Sequence, residues 1–262
     1  NTTATTAYIG GLSGGLIQGY LDMNNCLNSG TVTYTFDKLP LQKDGSTHYI
    51  GTHVGGLLGG VMNGTAYNKD KTLKRVSEWN VTDCLNSGLI SAGMADGSKM
   101  NGETFANGAG SILGYTTSGT VNLNDVYATT ESCTKRTTSK GKKAAVSGSV
   151  MKVSEDTISG IKGYQLTDLD FGKYWAAIVN PDETPVLKSF ASGANLDGVK
   201  KLVDFTWYDP AAKSYTLDSM EDLYGFAMIS LVDNFNNKTV KLGANITLND
   251  GDASAWGTSA PA

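Results

Sequence analysis

Three carboxylates and two thiols sit at related places in this chain. Asp83 immediately precedes Cys84, and Asp125 precedes Val126. Asn25 precedes Cys26 in the same way, while Asp22 lies a few residues earlier. Converging carboxylates, or a carboxylate beside Lys or Arg, are what a glycan-cleaving enzyme needs. A nucleophilic cysteine would need a histidine close by. The chain has two, His48 and His53, both in the irregular link KDGSTHYIGTH. A plainer reading competes with this chemistry. Asn and Asp side chains bond to nearby backbone N–H groups, so a column of Asn25, Asp83 and Asp125 is what a tight corner selects. Cys26 and Cys84, in turn, read as small apolar residues of an interior column. They are expected two or three turns of the coil apart, farther than the about 6 Å between Cα atoms that a disulfide spans.

A second set of residues could bind without turnover. Tyr67, Trp79, Trp207 and Tyr208 are aromatic side chains that could stack on sugar rings. Tyr67 and Trp79 fall in an extra stretch, TAYNKDKTLKRVSEW, and excursions from a regular scaffold tend to carry function. The competing reading for them is a small satellite core beneath that loop.

These residues must be positioned by elements, and the elements are announced by a repeat. Residues 9–19, IGGLSGGLIQG, align with 54–64, VGGLLGGVMNG, and more faintly with AGSILGYTTSG from Ala109. Gly10, Gly55 and Gly110 correspond, as do Gly14, Gly59 and Gly114; Leu12, Leu57 and Ile112 lie between them. CLNSG follows at Cys26 and at Cys84, and Val126 takes that place in the third copy. GTVTYTF and SGTVNLNDVYA alternate as half-buried strands do. Short strands broken by Asn, Gly and Asp predict a β-solenoid in which each turn pairs with the next. Leu12, Leu57 and Ile112 are expected to point inward, and the glycines to turn corners at positive φ or to admit a neighbouring turn.

Beyond residue 131 the repeat fades. Leu166, Leu169, Phe171, Trp175, Ile178 and Val186 read as a bulky cap over an open end. Residues 191–204 read as a linker. A helix follows, with Asp218 as N-cap, Glu221 completing a capping box, and Met220, Leu223, Ala227 and Leu231 along one face. TVKLGANITLND then alternates as a strand.

Composition narrows the function classes. The 262 residues carry a net charge of −4, with 18% charged, 40% apolar and 32 Gly against 5 Pro. That apolar share supports a folded chain. The one basic run, KRTTSKGKK, is short, so nucleic acid is not an expected partner. No stretch of about 20 apolar residues predicts direct membrane insertion. Three cysteines without a CxxC pair and two histidines make a zinc site improbable on ligand supply. NPDET and NDGD lack the spacing of an EF-hand loop, so no metal or other cofactor is expected. The opening Asn1-Thr2-Thr3 reads as the middle of a larger multidomain chain.

The repeats resemble the GLUG motif, a glycine–leucine repeat that usually runs to an NCYNTG-like end. VGGLLGGVMNG, NVTDCLNSG and NNCLNSG carry the resemblance, with Leu27 and Leu85 where many copies have an aromatic and Tyr127 restoring it. FGKYWAAIVNPDETPVLKSF is similar to the segment that closes such arrays, and KSYTLDSMEDLYGFAMISLVDNFNNKTVKLGANITLN to the opening of another. The resemblance implies an all-β chain, a right-handed parallel β-helix with a small α/β C-terminal segment. It implies residues 1–195 as repeat array with terminal cap, and 196–262 as linker plus the opening of a following unit. It also implies a large secreted or wall-attached bacterial protein, as in some adhesins and some immunoglobulin A metallopeptidases. The HExxH motif of the latter is absent, so no catalytic role carries over. The expected function is a non-catalytic surface module, adhesin or stalk, with a glycan or a host surface protein as partner. The alternative is a carbohydrate-active lyase or glycosidase using carboxylates on the array's face.

Overall fold

The computed structural model describes residues 6–16, 18–36, 51–61, 66–75, 77–94, 108–116, 119–129, 145–179, 184–191 and 202–247. His48, Cys133, the basic run, NDGD and most of the expected linker lie outside them. The chain forms two compact units, Asn1–Glu155 and Asp156–Ala262. The division falls well before the expected 195/196 boundary, because a strand at 202–203 pairs back to one at 175–178.

The first unit is built by the repeats. The first copy supplies β1 (Thr6–Gly10), β2 (Gly19–Asn24), β3 (Leu27–Asn28) and β4 (Val32–Phe36). The second supplies β5 (Gly51–Gly55), β6 (Ala66–Tyr67), β7 (Leu73–Arg75), β8 (Ser77–Asn86) and β9 (Ile90–Met94). The third supplies β10 (Gly108–Gly110) and β11 (Thr120–Ala128), followed by β12 (Ala145–Ser147) and β13 (Val150–Lys152). Equivalent positions pair in parallel. Gly10 faces Gly55 and Gly55 faces Gly110. Leu21 faces Trp79 and Trp79 faces Val121. The loop bonds repeat as well: Leu12 N–H donates to Leu57 O at 3.2 Å, and Leu57 N–H to Ile112 O at 3.1 Å.

The repeat glycines are required by that close stacking. A Cβ at Gly55 would collide with Leu58 O and stand 2.7 Å from Gly114 N. Among the described glycines, positive φ occurs at Gly19, Gly148 and Gly160, so the expected role of Gly10, Gly14, Gly55, Gly59, Gly110 and Gly114 as positive-φ corners is corrected. The corner residues are instead Asn25, Asp83 and Asp125, with φ of 52°, 52° and 51°. Short polar side chains tolerate this left-handed region better than others do. Inside lie Leu57, Leu58, Trp79, Cys84, Ile112 and Val126, all fully buried. Leu12 departs from expectation at 47% exposed, whereas the equivalent Leu57 and Ile112 are fully buried.

The second unit mixes helix with both antiparallel and parallel strand pairs. It contains α1 (Glu155–Ile158, beginning at the boundary), α2 (Ile161–Leu166), β14 (Trp175–Ile178), β15 (Val186–Leu187) and α3 (Lys188–Ala191). It continues with β16 (Leu202–Val203), β17 (Ser214–Leu217), α4 (Met220–Ile229) and β18 (Thr239–Leu242). β14 is central, antiparallel to both β15 and β16, and all four of its residues are buried. Leu169, Phe171, Trp175 and Ile178, expected as a cap, are interior residues of this unit; Leu166 is exposed.

α4 starts one residue later than expected. Ser219 is the N-cap, and Asp222 closes the capping box rather than Glu221. Its buried positions are Asp222, Gly225 and Ile229. Ala227 and Leu231 face solvent.

These sheets correct the expected fold class. An all-β, right-handed parallel β-helix does not describe the chain: antiparallel pairs occur at β6–β7, β14–β15 and β14–β16, and four helices are present among the described residues. The repeats dictate parallel register where copies align, as in β1–β5–β10, β2–β8–β11 and β4–β9. The insertion and the second unit have no such template. No helix among the described residues is long and apolar enough to cross a membrane.

Candidate functional site

The outward face of the sheet ordered β12-β11-β8-β2 carries a connected set of polar side chains. Alternation along each strand sends Leu21, Met23, Trp79, Val81, Val121 and Leu123 toward the core. The residues between them face out: Tyr20, Asp22 and Asn24; Glu78, Asn80 and Thr82; Thr120, Asn122 and Asn124. Register sets Asp22 beside Asn80, Asn80 beside Asn122, and Asn122 beside Ser147.

A continuous ladder results. Ser147 Oγ donates to Asn122 Oδ1 at 2.6 Å, Asn122 Nδ2 to Asn80 Oδ1 at 2.7 Å, and Asn80 Nδ2 to Asp22 Oδ1 at 2.7 Å. Such a chain of bonds polarises along its length. Asn122 Nδ2 also reaches Glu78 Oε1 at 3.5 Å, while the amide of Asn80 has a further N–H and a further lone pair beyond the ladder bonds. Tyr20, 63% exposed, stands next to the Asp22 end on the same strand face. An exposed ring beside aligned amides, hydroxyls and carboxylates offers both kinds of contact that a sugar takes: stacking and hydrogen bonds to hydroxyls.

The aromatic residues singled out from sequence are scattered. Tyr67 is exposed, on the β6–β7 ribbon. Trp79 is fully buried and is corrected: it is a core residue. The insertion ends before Ser77, which aligns with Gly19, so Trp79 stacks between Leu21 and Val121. Trp207 and Tyr208 belong to an interior cluster of the second unit with Tyr215 and Phe235. Trp207 Nε1 donates to Asp204 O at 2.9 Å. Tyr208 is 9% exposed, and its hydroxyl donates to Asp233 Oδ2 at 2.7 Å, so it too is corrected as a surface contact. Burial and then Asp233 push the Tyr208 phenol up to about 12. Lys238, 2.6 Å from Asp233, and then the Tyr208 hydroxyl hold that carboxyl at about 2.

Asp83 and Asp125 stand at the left-handed corners, and Asp22 is engaged by Asn80. His53 lies on β5, in a different sheet from Cys84, and stacks on Tyr115 with ring centroids 3.8 Å apart. The thiols, by contrast, are close together. Cys26 N–H donates to Cys84 Sγ at 3.4 Å, so the two cysteines occupy adjacent layers, not layers two or three apart. The Cys84 thiol lowers the Cys26 thiol to about 7. The Cys26 side chain, then burial, push the Cys84 thiol up, against the Cys26 N–H, which lowers it. Among the described residues no three His, Cys, Asp or Glu side chains converge as metal ligands would.

Tyr20, Glu78, Asn80 and Asn122 were not singled out from sequence. Their signal was present in the alternation of YLDMN, EWNVT and TVNLN, where every second residue is polar or exposed. No protein-family model, curated protein or solved structure matches the chain.

Proposed function

We propose that this chain is a non-catalytic extracellular module of a bacterial surface protein, an adhesive or spacing element that meets glycans through the outward face of β2, β8, β11 and β12. The reading rests on the GLUG-like repeats and on one structural observation. The glycines, cysteine column and corner residues that recur in the copies serve stacking, whereas the outward positions of β2, β8 and β11 present an exposed ring and a bonded row of polar side chains. Shared glycines admit the next layer, Cys26, Cys84 and Val126 fill one column, and Asn25, Asp83 and Asp125 turn the corners. In one outward register row the side chains change from copy to copy: Tyr20, Glu78 and Thr120.

The test is binding to an array of host and cell-wall glycans. The intact chain is expected to retain a subset of them. Tyr20→Ala and Asn122→Ala should each weaken retention by about tenfold, the loss of roughly 1.4 kcal/mol, while Trp207→Ala should not reduce it separately from stability. Equal retention by the native chain and both face variants would remove this face from the account.

A further inference from the structure

The stacked cysteines carry chemistry that the scaffold does not use. Cys26 lies in the break between β2 and β3, on the edge strand of its sheet, and is half-buried; Cys84 is fully buried one layer in. Each follows a residue with φ of 52°, Asn25 or Asp83, so the two strands turn the same corner and send their Cβ atoms the same way. Backbone bonds lock the register on both sides. Asn25 N–H donates to Thr82 O at 3.0 Å, and Leu85 N–H to Cys26 O at 2.9 Å. The side chains therefore leave adjacent parallel strands about 4.8 Å apart, just beyond the roughly 3.5–4.5 Å between Cβ atoms that a disulfide needs. Val126 stands on the other side of Cys84, so the column offers Cys84 one sulfur neighbour.

We propose that Cys26 and Cys84 form a reactive dithiol site that takes a low-molecular-weight disulfide and becomes an intramolecular bridge, stapling the edge strand to β8. Cys26 is the attacking thiol, being the more accessible of the pair. It gives its proton to solvent, and its sulfur bonds to one sulfur of the small disulfide. The S–S bond of that molecule breaks, and the departing thiolate takes up a proton. Cys84 then loses its proton and attacks Cys26 Sγ, releasing the second small thiol. Two protein thiols and one disulfide become one protein disulfide and two small thiols; the pair is oxidised and the small disulfide reduced. Access orders the two steps, since Cys84 has no exposed surface.

The test uses the chain with Cys133→Ser, so that the third thiol does not exchange, and oxidised glutathione as probe. The native protein is expected to lose the mass of two hydrogens, retain no glutathione, and yield one cross-linked peptide joining residues 26 and 84. Adding Cys84→Ala should trap one glutathione on Cys26, and adding Cys26→Ala instead should leave the native chain unmodified. The proposal is overturned if the native Cys133→Ser chain does not react while its urea-unfolded form does. It is equally overturned if that native chain keeps glutathione on Cys26 with Cys84 present, because the pair would then be too far apart to close.

Discussion

A single methyl group at residue 55 is enough to test how tightly the copies stack. Alanine there would drive its Cβ into Leu58 O and against Gly114 N, both backbone atoms with little room to yield. Overpacking of this kind costs about 1–3 kcal/mol or more. Gly30 is the control, because the nearest atom to a Cβ built there is a side-chain oxygen 3.7 Å away. Urea unfolding should show Gly55→Ala destabilised by about 3 kcal/mol and Gly30→Ala changed by less than about 0.5 kcal/mol. At this scale the sequence was readable wherever three copies agreed. The Cys26, Cys84 and Val126 column and the Asn25, Asp83 and Asp125 corners followed from alignment. Trp79 was misread because the end of an insertion leaves no mark of its own. Its place between Leu21 and Val121 is set by strand register, and register is decided by which alternation buries apolar side chains.

At the scale of elements, local chemistry chose between near-equivalent signals. Asp218-Ser219 and Glu221-Asp222 offer two overlapping capping boxes. Ser219 prevails, accepting from Asp222 N–H at 3.1 Å while Asp222 Oδ2 accepts from both Asp218 and Ser219 N–H. The shift turns the helix by one residue and buries Asp222, Gly225 and Ile229 in place of the expected stripe. Downstream, Asp233 ties the α4–β18 connection to Tyr208 and Lys238. Its carboxyl is held at about 2, below its ordinary 3.8, so the folded state binds fewer protons than the unfolded one between those values. The sign follows: this contribution is fully present above about pH 4 and is lost as pH falls through about 2. Thermal melts of the second unit should therefore drop across that window, and Asp233→Asn should flatten the dependence there while lowering the melt at neutral pH. The sequence held no pointer to this triad, because its members come together through the turn that Asp233 and Phe235 make.

For the whole molecule, the lesson lies in what repeats can specify. Parallel register among β1, β5 and β10, and among β2, β8 and β11, is written in the glycines and alternating strands of the three copies. The antiparallel ribbon at β6–β7 and the helix-bearing second unit fall outside that pattern, and extending the pattern across them produced an all-parallel expectation that the sheets correct. The face proposed to bind was half legible. Its strands were readable, but the Asp22–Asn80–Asn122 row emerges only once strand register is known.

The proposed non-catalytic role requires that the recurring carboxylates turn corners and do not catalyse. Asp83→Asn tests it, since asparagine keeps the left-handed corner and removes the charge. Incubated with a panel of polysaccharides, the native chain and Asp83→Asn should both release no product and should melt at the same temperature. Product released by the native chain and abolished in Asp83→Asn, with the melt unchanged, would contradict it.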